Sequence, residues 1–210
     1  MDHQIRNQEL LHIRTETGVS YGGVQNWYST WRKRVSGCGP VTAANLLWYL
    51  AASRPAECAA LFEGDGQEAV HMLRLMEEVW RYVTPGPGGL YKAEKLARGI
   101  LRYGREHSVQ LRSRILNIPA KRKERPPREK LFMFLQSALE DDLPVAFLNL
   151  DNGAVPHLES WHWVTLTALD KDLKALLYDQ TGQRSADLGE WLAATKKGGG
   201  FVAVEPSRSV

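Results

Sequence analysis

Cys38 is the side chain of this sequence best placed for nucleophilic chemistry. It lies in the segment Ser-Gly-Cys-Gly-Pro (residues 36–40), and a helical stretch, residues 41–52, follows at once. The positive end of a helix dipole and the unpaired N–H groups of the first turn stabilise a thiolate, which is the reactive form of cysteine. Gly37 and Gly39 are expected to leave room for a substrate backbone near the sulfur. A small buried cysteine in a capped helix is the alternative interpretation.

A cysteine nucleophile needs a base, and His162 is the strongest candidate among the six histidines. It stands between Trp161 and Trp163 at the start of an apolar strand. A residue at a strand end is held rigidly and can still face a cleft. Both tryptophans are predicted to border the substrate. The alternative is a histidine that packs between two tryptophans at a sheet edge.

An imidazole that acts as a base is oriented by an acceptor at its other ring nitrogen, and Asp179 is predicted to supply this acceptor. A hairpin that closes near residues 171–172 would bring residues 178–179 back beside Trp161 and His162. Aspartate is also common at the start of a turn, as in residues 179–182, and the two roles are compatible.

Gln25 is the candidate donor for the oxyanion of an acyl intermediate, together with the backbone N–H of Cys38. It lies thirteen residues before Cys38, and its carboxamide is expected to point into the same cleft. A polar side chain in a loop is the alternative interpretation.

The spacing of apolar residues places most helices before most strands, which is an α+β pattern. The predicted helices cover residues 40–52, 67–82, 92–106, 129–140 and 187–195. The predicted strands cover residues 109–118, 145–150, 163–169, 175–178 and 201–204. The basic run at residues 121–125 indicates a solvated loop, with phosphate binding as a weaker alternative.

Length and composition narrow the classes of protein. The chain has 210 residues, 43% apolar and 24% charged, which is typical of one globular domain spanning residues 1–210. Residues 53–125 are interpreted as a helical elaboration. A net charge of +3 does not predict a nucleic-acid partner. Neither a secretory signal nor a membrane segment is apparent, so a cytoplasmic location is expected. The two cysteines predict no disulfide framework, and the spacing of histidines and cysteines predicts no metal site.

Together these segments resemble the papain-like cysteine peptidases, and among them the bacteriocin-leader-peptidase-like proteins. The motifs that carry the resemblance are Gln25, Ser-Gly-Cys-Gly-Pro at residues 36–40, Leu-Pro-Val at 143–145, His-Trp-Val at 162–164 and Tyr-Asp at 178–179. The resemblance implies a papain-like fold, in which the nucleophile helix packs on a C-terminal antiparallel sheet, and a Cys-His-Asp triad. The sequence departs from the pattern in three places: the long gap between Gln25 and Cys38, Gln180 where a proline often follows the aspartate, and residues 53–125, which match no motif.

We therefore expect a cysteine hydrolase that cleaves an amide bond of a peptide or protein through a thioester acyl-enzyme and needs no cofactor. Two alternatives stay open at this point. A catalytically silent module of the same fold would use its aromatic residues, such as Trp27 and Trp31, to bind a peptide. An acyltransferase would pass the acyl group to an amine instead of water.

Overall fold

Helices dominate the middle of the chain, and strands dominate its last third. The computed structural model describes residues 1–207. Its helices are α1 (Trp31–Ser36), α2 (Cys38–Ser53), α3 (Pro55–Cys58), α4 (Ala69–Trp80), α5 (Ala93–Glu106), α6 (Arg128–Glu140) and α7 (Leu188–Ala194). Its strands are β1 (His3–Gln4), β2 (His12–Thr15), β3 (Gly18–Tyr21), β4 (Leu111–Ile118), β5 (Val145–Asn149), β6 (His162–Leu169), β7 (Lys174–Asp179), β8 (Gly182–Asp187) and β9 (Gly199–Pro206).

One antiparallel sheet organises the fold. Within residues 1–207 its seven strands follow the order β4-β9-β5-β6-β7-β8, and β1 pairs with the end of β6. Strands β2 and β3 form a separate hairpin. All eight residues of β6 are buried, as expected for a strand whose two faces are both covered. This strand begins at His162, so the candidate base is buried at the end of a strand whose later residues are more deeply buried still.

The two faces of the sheet are covered by different helices. Thr165 of β6 accepts a hydrogen bond from Asn45, which lies on α2. Val164, its neighbour along the strand, pairs with Phe147 of β5, whose ring packs edge to face on Trp191 of α7 at a centroid distance of 4.7 Å. Because successive side chains of a strand point to opposite faces, α2 covers one face and α7 covers the other. Helix α2, which carries Cys38, is thus packed directly on the central strand.

The Asn45 side chain joins three separate parts of the chain. It is only 3% exposed, its Nδ2 donates to Thr165 Oγ1 at 3.0 Å, and its Oδ1 accepts from the Gly23 backbone N–H at 2.9 Å. Gly22 makes this approach possible, since its φ is +84° and a Cβ there would lie 2.5 Å from Asn45 Nδ2. These contacts fix the segment before Gln25 and the strand after His162 against α2, the helix that begins at Cys38.

The structure confirms the predicted α+β pattern, with the nucleophile helix packed on an antiparallel sheet. Every predicted helix and strand is present, with ends shifted by up to two residues. The sequence reasoning missed β1–β3, α1 and β8, whereas α3 falls within residues 55–61, which were predicted to be helical. Strand β8 is an edge strand of mainly polar residues, with Ala186 alone fully buried, so it lacks the apolar alternation that marks a strand. Residues 53–125 hold helices and also β4, which pairs with β9 at the sheet edge.

The predicted pairing around residue 179 was wrong in register. Tyr178 lies opposite Thr165, not beside Trp161 or His162. Antiparallel partners are equidistant from their turn, so a turn centred between residues 171 and 172 pairs residue 178 with residue 165. The observed pairing of β7 with β6 ends there, and residues 180–181 form the turn into β8.

Replacing Asn45 by alanine is expected to destabilise the protein by about 2–3 kcal/mol, because a buried N–H and a buried hydroxyl lose their partner. Urea unfolding, followed by circular dichroism, measures this change. Asn117→Ala is the matched control, since Asn117 is exposed and its amide bonds only to Glu94. We expect the control to cost less than about 0.5 kcal/mol. Equal losses for the two variants would contradict the role given to Asn45.

Candidate active site

Cys38 is the first residue of α2 and is half-buried. The glycines on either side of it are buried and serve internal packing. A Cβ at Gly37 would lie 2.7 Å from the Tyr28 ring, and one at Gly39 would lie 2.6 Å from the Leu90 side chain. The missing side chains therefore let α2 begin close to its neighbours. Contact of either glycine with a substrate stays a prediction.

His162 opens β6 and is 7% exposed. Its position is fixed from the neighbouring strand, because it pairs with Asn149 of β5. The Asn149 side chain donates to the Glu159 carbonyl at 2.9 Å and accepts from Trp191 Nε1 at 2.9 Å. The loop that leads into His162 is thus tied at its last turn to both the sheet and α7.

One small cavity brings the candidate residues together. Its volume is about 10 Å³, roughly the room that one water molecule needs. It is lined by the four predicted catalytic residues Gln25, Cys38, His162 and Asp179, and further by Gly23, Val41, Thr42, Asn45, Trp163, Tyr178 and Gln180. We call it the Cys38 cavity. Residues from the N-terminal segment, α2, β6 and the end of β7 meet here.

The pKa of His162 is raised above its ordinary value, although burial of the ring, the largest single influence, lowers it. Hydrogen bonding with the Cys38 side chain and the charge of Cys38 raise this pKa, and the carboxylates of Glu159 and Asp179 add smaller increases. The result is an imidazole that remains a ready proton acceptor despite being buried. Among the influences that raise the pKa of His162, the Cys38 side chain is the largest.

Asp179 lines the Cys38 cavity, but its carboxylate is engaged within its own turn. Oδ1 accepts from the Thr181 backbone N–H at 2.6 Å and also from the Thr181 hydroxyl. The predicted turn-forming role is thus present. Asp179 acts on His162 through its charge, while Nε2 of His162 is buried without a hydrogen-bond partner among the described residues. Its role in orienting His162 stays a prediction.

Gln25 begins a short 3₁₀ turn, Gln25–Trp27, two residues after the Gly23 contact with Asn45. Its Oε1 is buried and has no hydrogen-bond partner within residues 1–207. The same is true of Oε1 of Gln180, which also lines the cavity. Two residues with buried carboxamide oxygen atoms that are unpaired among residues 1–207 therefore line the Cys38 cavity.

The two tryptophans that flank His162 differ in exposure. Trp163 is 2% exposed, and its indole N–H donates to the Leu90 carbonyl at 2.6 Å, so it anchors the segment that covers Gly39. Trp161 is 52% exposed, has a φ of +60°, and lies under Lys197, whose Nζ is 4.8 Å from the ring centroid. Of the two, only Trp161 offers an open surface to a substrate.

A second pocket opens beside Cys38. It is lined mainly by apolar and small residues: Val35, Ser36, Cys38, Pro87, Gly88, Gly89, Leu90, Leu148, Leu150 and Trp161. We call it the Trp161 pocket. Cys38 lines both hollows, so its side chain lies where the Cys38 cavity and the Trp161 pocket meet.

Sequence reasoning missed Asn45 and gave Gln180 no role. Asn45 lies seven residues after Cys38, two helical turns along the same face of an otherwise apolar helix. A polar side chain on such a face needs buried partners, and this signal could have found it. Gln180 carries no sequence signal beyond its place after Asp179, because its importance depends on a register that the sequence does not fix.

The second cysteine has none of these features. Cys58 is fully buried in α3, and burial raises the pKa of its thiol to about 11. Both cysteines are free. Among residues 1–207, no cluster of three or more acidic, histidine or cysteine side chains is arranged to bind a metal ion. No helix in that range is long and apolar enough to cross a membrane.

No protein-family model matches this chain, and no curated protein matches it. Among solved structures, it is similar to a double glycine motif protease from an AMS/PCAT transporter, crystallised in complex with the leader peptide. The two are 15% identical, the match covers 81% of this chain and 84% of that chain, and the TM-score is 0.41. A similarity at this level assigns no function to any residue of this chain. The functional argument depends on the geometry of the Cys38 cavity.

Removing the Cys38 side chain is expected to lower the pKa of His162, because the largest influences that raise it are lost while the ring stays buried. A titration of the histidine ring signals by NMR measures the shift in Cys38→Ala. Cys58→Ala is the matched control, since that thiol lies in α3 and outside the cavity. An unchanged pKa of His162 in Cys38→Ala would show that the two side chains do not interact.

Proposed function

We propose that this protein is a cysteine-dependent hydrolase that cleaves an amide bond, with Cys38 as nucleophile and His162 as general base and acid. The observation that carries the proposal is the cavity that Cys38 lines together with His162, a buried histidine at the start of β6. The raised pKa of His162, to which the Cys38 side chain contributes most among the raising influences, agrees with this pairing. A cysteine kept for packing needs no buried imidazole beside it. This pairing is the arrangement that nucleophilic catalysis requires.

In the proposed reaction, the Cys38 thiol transfers its proton to the facing nitrogen of His162, and the sulfur attacks the amide carbonyl. The oxyanion of the tetrahedral intermediate accepts hydrogen bonds from the Cys38 backbone N–H and the Gln25 carboxamide. His162 then protonates the leaving amine, and the C–N bond breaks to give a thioester. Water, deprotonated by His162, attacks the thioester and releases the acid and the thiol.

The proposed substrate is a peptide or protein. The Trp161 pocket begins at the nucleophile, and its apolar walls suit a hydrocarbon side chain next to the scissile carbonyl. The half-exposed Trp161 ring forms one side of this pocket. Hydrolysis and transfer to an amine share every step up to the thioester. Analysis of the reaction product therefore distinguishes whether water or an amine accepts the acyl group.

Cys38 is expected to react rapidly with iodoacetamide at pH 6, while Cys58, buried and with its pKa raised to about 11, stays unmodified in the folded protein. Peptide mass spectrometry separates the two sites within one sample. His162→Ala is expected to slow the Cys38 reaction about 100-fold, because the thiol loses the base that takes its proton.

Two results would contradict the proposal. One is slow alkylation of Cys38 at pH 6 in the unaltered protein, which would favour a binding module that does not turn over. The other is the same alkylation rate in the unaltered protein and in His162→Ala, which would separate the two residues functionally.

Gln25→Ala is expected to lower kcat about 100-fold on a pool of internally quenched peptides, since one oxyanion donor is lost. The Cys38 alkylation rate should change less than about threefold, because alkylation forms no oxyanion. Gln67→Ala is a control, since its amide binds the Glu9 and His12 carbonyls away from the cavity. Equal loss of turnover and alkylation in Gln25→Ala would contradict the oxyanion role.

A further inference from the structure

Three buried polar atoms in the Cys38 cavity have no hydrogen-bond partner among the described residues: His162 Nε2, Gln25 Oε1 and Gln180 Oε1. An unpaired buried polar group is costly and calls for an explanation. In the working state proposed above, one ring nitrogen of His162 faces Cys38 and Nε2 carries a proton to donate. The Gln25 oxygen Oε1 is a hydrogen-bond acceptor, and the NH₂ group of the same carboxamide cannot donate to it.

Gln180 has the atoms that match both unpaired partners. Its carboxamide offers one acceptor, Oε1, and an NH₂ group with two donors. Oε1 complements the Nε2–H group of His162, and the NH₂ group complements Oε1 of Gln25. Pairing with Gln180 would therefore satisfy all three unpaired atoms through one side chain.

The hairpin of β7 and β8 places Gln180 at the edge of the same cavity. Asp179 pairs with Gly182, so Gln180 is one of the two residues of the turn that joins these strands. The Asp179 oxygen Oδ1 already accepts two hydrogen bonds from Thr181. Gln180 is half-buried, and its Oε1 accepts no hydrogen bond from residues 1–207.

We infer that Gln180 is a positioning residue of the site: its Oε1 accepts from His162 Nε2–H, and its NH₂ group donates to Gln25 Oε1. It thereby orients the base and the oxyanion donor together. Asp179 and Glu159 act on the ring through their negative charges, as smaller influences than Cys38. This inference rests on the proposed function, since it assigns a task to Gln180 within that reaction.

The test measures the iodoacetamide reaction of Cys38 against pH in Gln180→Ala, Gln180→Glu and Asp179→Asn, with His162 titrated by NMR in each. Gln180→Ala is expected to slow alkylation at pH 6 about tenfold or more, because the ring loses the acceptor that holds it. Gln180→Glu keeps an acceptor and adds a negative charge. It should alkylate within about threefold of the unaltered protein and raise the pKa of His162 by about one unit.

Gln183→Ala is the matched control, since Gln183 is an exposed glutamine on the same hairpin. It is expected to alkylate as the unaltered protein does. Peptide turnover gives a second readout: Gln180→Glu should recover the alkylation rate but not the full kcat, because its carboxylate cannot donate to Gln25.

Two results would overturn the inference while leaving the proposed function intact. In one, Gln180→Ala alkylates like Gln183→Ala while Asp179→Asn is slow, which assigns the orienting role to Asp179. In the other, Gln180→Glu leaves the pKa of His162 unchanged, which shows that position 180 does not contact the ring. Failure of the proposed function looks different, since Cys38 would then react slowly in the protein without any substitution.

Discussion

The buried amide of Asn45 is the contact on which the rest of this site depends. It bonds to Gly23 on one side and to Thr165 on the other, and it lies on the helix that begins at Cys38. Gln25 follows Gly23 by two residues, and His162 precedes Thr165 by three. One side chain therefore fixes the relative positions of three segments, each of which carries a residue of the proposed reaction. Since a backbone N–H and a hydroxyl are both satisfied by the same buried group, loosening it affects all three at once.

The chemistry of the site follows from a competition at His162. Burial in the sheet lowers the pKa of the ring, and the Cys38 side chain together with nearby carboxylates raises it further than burial lowers it. A histidine buried without such partners would stay neutral and be a poor proton acceptor. A fully solvated one would lose the rigid placement that β6 gives. The position at the first residue of a central strand supplies both the partner and the rigidity.

Much of this arrangement is visible in the sequence, and the remainder is not, for physical reasons. The start of α2 at Cys38 could be predicted because two glycines and a proline mark a helix N-terminus. The placement of His162 could be predicted because an apolar run begins there. The environment of Asp179 could not, since the sequence does not fix the strand register, and a shift of a few residues changes which turn residue reaches the ring. The expected substrate contacts of Gly37 and Gly39 remain untested, whereas their packing against Tyr28 and Leu90 emerges only from the fold.

In the proposed reaction, Cys38 attacks a carbonyl while His162 and Gln25 surround the reacting atoms. A crystal structure of the protein soaked with an acetylated peptide aldehyde ending in leucinal tests this most directly, because an aldehyde and a thiolate form a stable hemithioacetal. We expect a covalent bond between Cys38 Sγ and the aldehyde carbon. The oxygen of the adduct should accept hydrogen bonds from the Gln25 amide and the Cys38 backbone N–H. The leucine side chain should lie in the Trp161 pocket, and the His162 ring should lie beside the sulfur. An unmodified Cys38, or an adduct whose oxygen points away from Gln25 with His162 turned from the sulfur, would contradict it.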